Sequence, residues 1–216
     1  MEIHRVSDTV ARILLEIGAV RFTPNEPITF KSGIRSPIYV DNRVLPYWPQ
    51  HWRRVIVGFL ASIEAHGLDF DVIAGIETAG IPHSAALAYT MHKPSVFVRK
   101  EAKAHGTQSR IEGGSVKDRR VLLVEDLITT GGSSLSGIEA LRSDGAVAED
   151  CIAIVSYGFS ETVERFTEAG TRLFTLTSFP KILEQATARE ILNPDEAATI
   201  SDWLSDPHGW AKRQGK

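Results

Sequence analysis

Hydrophobic and polar positions recur along the chain with two different periods. Near the N-terminus the apolar spacing is that of an amphipathic helix, which Gly18 can end. The apolar positions of this helix are Val10, Ile13, Leu14 and Ile17. From about residue 70 onward, short apolar runs typical of buried strands are separated by stretches with helical spacing. This alternation predicts βαβ units and a mostly parallel sheet with helices on both faces.

The predicted elements follow one another closely after residue 70. The predicted strands are residues 71–76, 95–98, 121–125 and 151–157. One helix is predicted over residues 80–92, and another carries Leu135, Ile138 and Leu141 before Gly145. Two short helices are predicted past residue 178. The second half of the chain is therefore expected to form an α/β unit.

The segment from residue 23 to residue 43 has a different character, being rich in Pro and Gly. Residues 28–30 and 37–41 are candidates for short antiparallel strands. Such a segment is expected to pack over one end of the main sheet. Because the chain has no internal repeat, low-complexity tract or linker, we expect one domain over residues 1–216.

Composition narrows the class of protein. The chain has 216 residues, 43% of them hydrophobic and 24% charged, with a net charge of −3. These values are ordinary for a globular protein and argue against a protein that coats nucleic acid. No apolar stretch approaches the roughly 20 residues that span a bilayer, and the N-terminus is too charged for a signal peptide. Cys151 cannot form an internal disulfide and is expected to be a buried structural thiol. We therefore expect a cytoplasmic protein without nucleic-acid or membrane partners.

The stretch "VLLVEDLITTGGSS" contains the main candidate functional residues. Its apolar run ends in Glu125 and Asp126, at the position where ligands bind in open parallel sheets. The "TTGGSS" that follows supplies backbone amides, glycines and a predicted helix start, which suits a phosphate. The combination predicts binding of a phosphorylated sugar. The alternative is an acidic strand end and a capped helix without any ligand. No G-x-x-x-x-G-K-[ST] or G-x-G-x-x-G motif is present, which removes the main support for an NTPase or a dinucleotide-binding protein.

Four stretches resemble those of a known family. "VLLVEDLITTGGSS" resembles the phosphoribosyl diphosphate motif of type I phosphoribosyltransferases. "NEPITFKSGIRSPIYVDNR" resembles the N-terminal hood of orotate phosphoribosyltransferases, "AGIETAGIPHSAALA" their pyrophosphate loop and "VRKEAKAHGTQSRIEG" their mobile catalytic loop. The resemblance implies the type I phosphoribosyltransferase fold, a mostly parallel central sheet flanked by helices, with a small hood at about residues 20–45. It also implies transfer of the 5-phosphoribosyl group from phosphoribosyl diphosphate to orotate, giving orotidine 5′-monophosphate and pyrophosphate in pyrimidine synthesis.

The resemblance also implies roles for individual residues. The expected catalytic residues are Lys103, His105 and Asp126, with Lys103 the most important for the rate. The residues expected to bind phosphoribosyl diphosphate are Arg99, Lys100, Lys103, His105, Glu125, Asp126, Leu127, Ile128, Thr129, Thr130, Gly131, Gly132 and Ser133. The orotate pocket is expected to be lined by Lys31, Tyr39, Val40 and Thr129, and the pyrophosphate-side loop by Glu77, Thr78 and Ala79. Mg²⁺ is expected on the diphosphate rather than in an all-protein site, and a homodimer with shared active sites is implied.

The basic segment from residue 99 to residue 110 allows two interpretations. It carries four cations and one acid, with no apolar residue larger than Ala. A solvated surface loop would have this composition. A loop that neutralises a departing pyrophosphate would have it as well, since the charge on that group grows in the transition state.

One stretch departs from the family pattern. Many members carry Asp-Arg-x-Glu after the next strand, and its Arg contacts orotate, whereas this chain has Tyr157, Gly158 and Phe159. The partner of the orotate carboxylate is thus left open. Arg35 and Arg43 are either surface charges or ligand contacts, and the sequence does not separate these alternatives.

Two rival functions are compatible with a phosphoribosyl diphosphate motif. A phosphoribosyltransferase for another nucleobase is opposed by the hood sequence around Lys31. A non-enzymatic regulator that senses phosphoribosyl diphosphate is opposed by the acidic balance and by the presence of Lys103 and His105.

Overall fold

The computed structural model describes residues 3–29, 33–101 and 109–213. Its N-terminal part is built from small elements around two helices. In order these are α1 (Ile3–Glu16), β1 (Val20–Phe22), β2 (Ile28–Thr29), β3 (Arg35–Ser36), β4 (Ile38–Val40), the 3₁₀ helix η1 (Asn42–Tyr47) and α2 (Pro49–His66).

The rest of the chain alternates strands and helices. The elements are β5 (Val72–Ile76), α3 (Gly80–Met91), β6 (Ser95–Val98), β7 (Ile111–Glu112), β8 (Arg120–Ile128), α4 (Gly132–Ser143), β9 (Val147–Ser156), α5 (Ser160–Glu168), β10 (Arg172–Ser178), α6 (Phe179–Ala188), α7 (Pro194–Ser205) and α8 (Trp210–Arg213). No helix among these described segments is long and apolar enough to cross a membrane.

Six strands form the central sheet in the order β10-β9-β8-β5-β6-β7. All neighbouring pairs are parallel except β6 and β7. The chain runs from β5 outward to β6 and later returns to β8 on the other side of β5. The strand order therefore reverses between β5 and β8, which is where ligands bind in sheets of this kind. The predicted α/β architecture is confirmed.

The core lies on both faces of this sheet. Successive side chains of a strand point to opposite faces, so Ile73 and Leu122 join one buried cluster with α1, α2 and α3. Ala74 and Leu123 join a second cluster with α4. Cys151 is free and fully buried in the second cluster, as predicted, and burial raises the pKa of its thiol well above the usual value.

The hood strands form, but with pairings that the apolar pattern does not indicate. Strand β1 pairs with β4, and β2 pairs with β3. Pro37 lies between β3 and β4 and has no N–H to donate, so it separates two strands that belong to different pairs. The hood is tied to the rest of the fold by a hydrogen bond from Trp203 Nε1 to the carbonyl oxygen of Arg35 (2.7 Å) and by packing of Phe22 against Phe179.

The structure departs from the sequence-based prediction in one longer strand and in elements that were not predicted. Strand β8 continues past its predicted end at Glu125 to Ile128, because Leu127 and Ile128 still pair with β9. Strand β10 and helix α5 were not predicted at all. Strand β10 is a sheet edge whose residues are mostly half-buried, so it lacks the continuous apolar run of the central strands.

Candidate active site

A cleft of about 410 Å³ opens at the carboxyl ends of β5 and β8, where the strand order reverses. Its walls come from η1, from the loops after β5 and β6, and from the segment that joins β8 to α4. The lining residues are Arg43, Ile76, Glu77, Thr78, Ala79, Lys100, Glu125, Asp126, Leu127, Thr129, Thr130, Gly131, Gly132, Ser133 and Ser134. The cleft thus brings together most of the described residues that the sequence predicted.

The acid pair, Glu125 and Asp126, lies on the last part of β8. Glu125 is buried, and its carboxylate accepts hydrogen bonds from Ser134 Oγ (3.3 Å) and from the amide of Asp126 (3.1 Å). Burial, reinforced by the neighbouring Asp126, raises the pKa of Glu125 well above its usual value. Burial also raises the pKa of Asp126. Ligand hydroxyls or cations that contact these groups would favour their ionised form.

Asn42 fixes the backbone at the acid pair. Its side chain is fully buried, and Nδ2 donates to the carbonyl oxygen of Asp126 over 2.8 Å. This bond joins η1 to β8 across 84 residues of sequence. The start of η1 is therefore held beside the cleft.

The segment from Thr129 to Ser133 turns the chain from β8 into α4. Gly131 adopts φ +74°, and a Cβ atom there would lie 2.6 Å from Cε2 of the buried Phe166. The carbonyl oxygens of Thr129 and Thr130 accept from Thr162 Oγ1 (2.8 Å) and Arg165 Nη1 (2.5 Å), both on α5. The first amides of α4 have no acceptor within the helix. Amides of this kind, at a positive helix terminus that lines a cleft, suit an anion such as phosphate.

The loop after β5 lies on the opposite wall. Glu77 accepts a hydrogen bond from the amide of Lys100 through Oε2 (2.9 Å), and the peptide bond between Glu77 and Thr78 is cis. A Cβ atom at Gly80 would lie 2.7 Å from the carbonyl oxygen of Val124. Only glycine permits this approach of α3 to β8, which brings the loop next to the acid pair.

Some predicted residues are placed away from the cleft. Arg99 forms an ion pair with Glu112 (Nη1 to Oε1, 3.7 Å), and its backbone bonds to Arg110. Ile128 and Val40 are buried in the core. Tyr39 does not line the cleft among the described residues, and its hydroxyl accepts from Arg43. Lys31, Lys103 and His105 lie outside the described residues, so their roles stay predictions.

Besides Ile76 at the end of β5, the structure adds two polar residues to the candidate site. Ser134 was not singled out from the sequence, although its place one residue after the predicted loop was a usable signal. Arg43, which the sequence left open, lines the cleft. At the end of β9, Tyr157 and Phe159 are buried and stacked on each other with ring centroids 5.6 Å apart.

Comparisons with known proteins agree with this geometry. A family model described as "Phosphoribosyl transferase domain" matches residues 52–166. The orotate phosphoribosyltransferase of Listeria innocua is 40% identical over 207 residues, covering 96% of this chain and 99% of the relative. The crystal structure of orotate phosphoribosyltransferase from Aeropyrum pernix has a TM-score of 0.72 and 31% identity, covering 83% of this chain and 98% of that one.

The name of a further solved structure includes a bound ligand. Orotate phosphoribosyltransferase of Mycobacterium tuberculosis in complex with 5-phospho-α-D-ribosyl 1-diphosphate has a TM-score of 0.59 and 25% identity, covering 81% of this chain and 97% of that one. The family model spans more than half of the chain, and the Listeria relative matches nearly all of it. The chain therefore belongs to the orotate phosphoribosyltransferases of the phosphoribosyl transferase family.

Proposed function

We propose that this orotate phosphoribosyltransferase transfers the 5-phosphoribosyl group of phosphoribosyl diphosphate to N1 of orotate. The products are orotidine 5′-monophosphate, for pyrimidine synthesis, and pyrophosphate. The observation that carries the proposal is the acid pair adjoining the amide-lined turn within one cleft. A ribose 5-phosphate presents hydroxyls and a phosphate to these two features together.

The acid pair has a double role in this proposal. Glu125 and Asp126 accept hydrogen bonds from the ribose 2- and 3-hydroxyls, while the turn from Thr129 to Ser133 holds the 5-phosphate. The bond from C1 to the diphosphate oxygen breaks, its electron pair leaves with the diphosphate, and positive charge develops on the sugar ring. Carboxylates beside that ring stabilise the cation. N1 of orotate then forms the new bond to C1 from the opposite face, and its proton is released.

The diphosphate is assigned to the wall that carries Glu77 to Ala79 and Lys100. Lys100, which follows β6, lines the cleft, and its cation would stabilise the charge that grows on the leaving group. Lys103 and His105 are proposed to act on the same group. Glu77 and Asp126 also line the cleft, and carboxylate oxygens are hard donors that suit Mg²⁺. When bound with the diphosphate, Mg²⁺ would neutralise part of its charge.

We also propose that the enzyme is a cytoplasmic homodimer. Large exposed side chains on η1, α2 and α3 support the dimer: Tyr47 is 82% exposed, Tyr89 85% and Val57 45%. Helix α2 contacts both η1 and α3, so the three elements are neighbours in the fold. Large aromatic groups of this kind are enriched at interfaces between subunits. The buried free thiol of Cys151 supports a reducing compartment.

Steady-state assays test the proposed reaction. With phosphoribosyl diphosphate and Mg²⁺, pyrophosphate release should depend on orotate and should be far slower with uracil, adenine or hypoxanthine. Chelation of Mg²⁺ should abolish the activity, and added Mg²⁺ should restore it. As a control for contaminating enzymes, the Glu125→Gln/Asp126→Asn variant purified in the same way should be inactive.

Two outcomes would contradict the proposal. Preference for a purine base would make the protein a phosphoribosyltransferase for another substrate. Failure to turn over any base, together with ligand-dependent binding to operator DNA in a gel-shift experiment, would make it a regulator.

A further inference from the structure

The cleft contains two described cations, and they approach it from different parts of the fold. Lys100 follows β6, and its amide bonds to Glu77 at the end of β5. Arg43 belongs to η1, which follows the hood. The hood contacts Trp203 of α7 and Phe179, the first residue of α6, which follows β10 on the far side of β8 from β6. The acid pair on β8 therefore lies between a cation on the β6 side and a cation on the hood side.

The Arg43 side chain is held in one orientation although it is 60% exposed. Nε donates to Asp41 Oδ1 (2.6 Å), and Nη2 donates to Asp41 Oδ2 (2.8 Å) and to the Tyr39 hydroxyl (3.0 Å). The hydrogen bond from Arg43 lowers the pKa of Asp41, which keeps the pair ionised at neutral pH. Exposed ion pairs add little to stability. What this arrangement supplies is a guanidinium of fixed position beside the cleft.

One edge of this guanidinium is available to a ligand. The Nε and Nη2 groups donate to Asp41 and Tyr39. Within the described part of the chain, Nη1 donates no hydrogen bond. The neighbouring residue, Asn42, is bonded to the backbone of Asp126. The Nη1 group is thus fixed relative to the acid pair.

The two substrates carry three anionic groups. The turn from Thr129 to Ser133 accounts for the 5-phosphate, and the wall with Lys100 accounts for the diphosphate. The carboxylate of orotate remains, and it must enter a cleft whose acids repel it. The end of β9 offers no cation, since Tyr157 and Phe159 are buried aromatic residues flanking Gly158. A planar guanidinium matches the geometry of a carboxylate.

We propose that Arg43 Nη1 donates to the carboxylate of orotate and thereby sets the preference for orotate over bases without a carboxylate. The assignment rests on the proposed function. Asp41 and Tyr39 act as positioning residues, since they hold the guanidinium without needing to touch the substrate. Asn42 fixes the distance between this contact and the ribose-binding acids.

The test compares orotate with orotamide, in which an uncharged amide replaces the carboxylate. Orotamide is measured both as a substrate and as a competitive inhibitor of the reaction with orotate. Wild-type enzyme should bind and turn over orotate in preference to orotamide. In Arg43→Gln, KM for orotate should rise on the order of 10- to 100-fold, the range of a lost charge-assisted hydrogen bond. KM for phosphoribosyl diphosphate should change by less than about 3-fold, and the orotate-to-orotamide preference should collapse. Arg43→Lys should be intermediate, because it keeps the charge and loses the planar donor.

Arg35→Gln is the matched control. Arg35 is a hood cation that does not line the cleft among the described residues, and its contact with Trp203 uses only the backbone oxygen. The Arg35→Gln substitution should leave both KM values and the orotate-to-orotamide preference unchanged. Thermal unfolding of each variant separates a folding defect from a binding defect.

The outcomes distinguish this assignment from the proposed function. Wild-type enzyme without orotate turnover would overturn the proposed function. Normal wild-type turnover with an unchanged orotate-to-orotamide preference in Arg43→Gln would overturn only the assignment of Arg43. A rise in KM confined to phosphoribosyl diphosphate would likewise overturn it, by placing Arg43 against the sugar diphosphate.

Discussion

Burial disfavours the charged forms of Glu125 and Asp126 in the unliganded fold. The pKa of each carboxyl is raised, in each case first by burial. An acid with a raised folded-state pKa binds its proton more tightly when folded. Its contribution to stability is present below the unfolded pKa and is lost as pH rises through the folded pKa. The acid pair therefore contributes less to stability as pH rises.

Replacing both acids by amides should separate stability from binding. The Glu125→Gln/Asp126→Asn variant without substrate should have a higher free energy of unfolding than wild type at pH 8, because the cost of ionisation is gone. Its Kd for phosphoribosyl diphosphate should rise by about 100-fold or more, since the amides lose the charge that strengthens hydrogen bonds to hydroxyls. Urea unfolding and titration calorimetry measure the two effects.

The chain offers a matched acid pair for comparison. Glu149 and Asp150 are also adjacent, near the start of β9, and Asp150 is bonded to Arg172 instead of facing the cleft. Glu149→Gln/Asp150→Asn should leave the Kd for phosphoribosyl diphosphate unchanged. Equal Kd values for wild type and Glu125→Gln/Asp126→Asn would remove the ribose-binding role.

His83 shows the opposite sign of pH dependence. It is fully buried in α3, accepts a hydrogen bond at Nδ1 from Trp52 Nε1 (3.0 Å), and does not line the cleft among the described residues. Burial lowers its pKa from 6.5 to about 4. The unfolded chain therefore binds more protons between these values, and stability is lost as pH falls from 6.5 to 4. At about 1.4 kcal/mol per pKa unit the loss amounts to about 3 kcal/mol.

Substitution of His83 by Asn should remove this part of the pH dependence. The difference in unfolding free energy between pH 7 and pH 4 should shrink by about 3 kcal/mol relative to wild type, as measured by urea unfolding. His92→Asn is the control, at the residue that follows the same helix, because His92 is exposed and Asn tolerates its positive φ of 54°. An unchanged pH profile in His83→Asn would show that His83 is not the group responsible.

At the scale of elements, the turn between β8 and α4 depends on one glycine more than on its neighbour. A Cβ atom at Gly131 would collide with Phe166, and the substituted residue would have to adopt a φ of +74°. A Cβ atom at Gly132 would meet nothing within 4 Å. Gly131→Ala should lower the free energy of unfolding by roughly 2 kcal/mol or more, from backbone strain and overpacking. Gly132→Ala should stay within about 0.5 kcal/mol of wild type or be slightly more stable.

Chemical denaturation of the two variants measures this contrast. If Gly131→Ala and Gly132→Ala unfolded at the same denaturant concentration, the turn would have to adopt another conformation. The phosphate-binding geometry proposed for it would then lose its basis.

At the scale of the whole molecule, the proposed dimer predicts which surface forms the interface between subunits. Val57 on α2, the helix that contacts both η1 and α3, is 45% exposed, and Val163 on α5 is 58% exposed. If η1, α2 and α3 form the interface, Val57→Glu should shift the protein from dimer to monomer, because a buried unpaired charge is costly. Val163→Glu should leave the dimer intact. Sedimentation velocity measures both, and a dimer that persists in Val57→Glu would locate the interface elsewhere.

The sequence by itself determined the alternating α/β architecture and the joint position of the acid pair and the glycine turn. These follow from local pattern, since periodicity predicts each element and Glu125 to Ser133 are contiguous in the chain. Strand β10 escaped prediction because its burial depends on β9 beside it and not on an apolar run of its own.

Only the tertiary structure decided which distant residues meet the acid pair. Arg43 lies at the cleft next to Asn42, which bonds to Asp126 across 84 residues, whereas among the described residues Arg35 does not line the cleft, although both belong to the same N-terminal segment. The partner of Arg99 could not be predicted from the sequence either, because its ion pair with Glu112 depends on the pairing of β6 with β7. Periodicity reports which face of an element is buried, but the partner of an exposed cation is set by long-range packing, and that packing leaves no local pattern in the sequence.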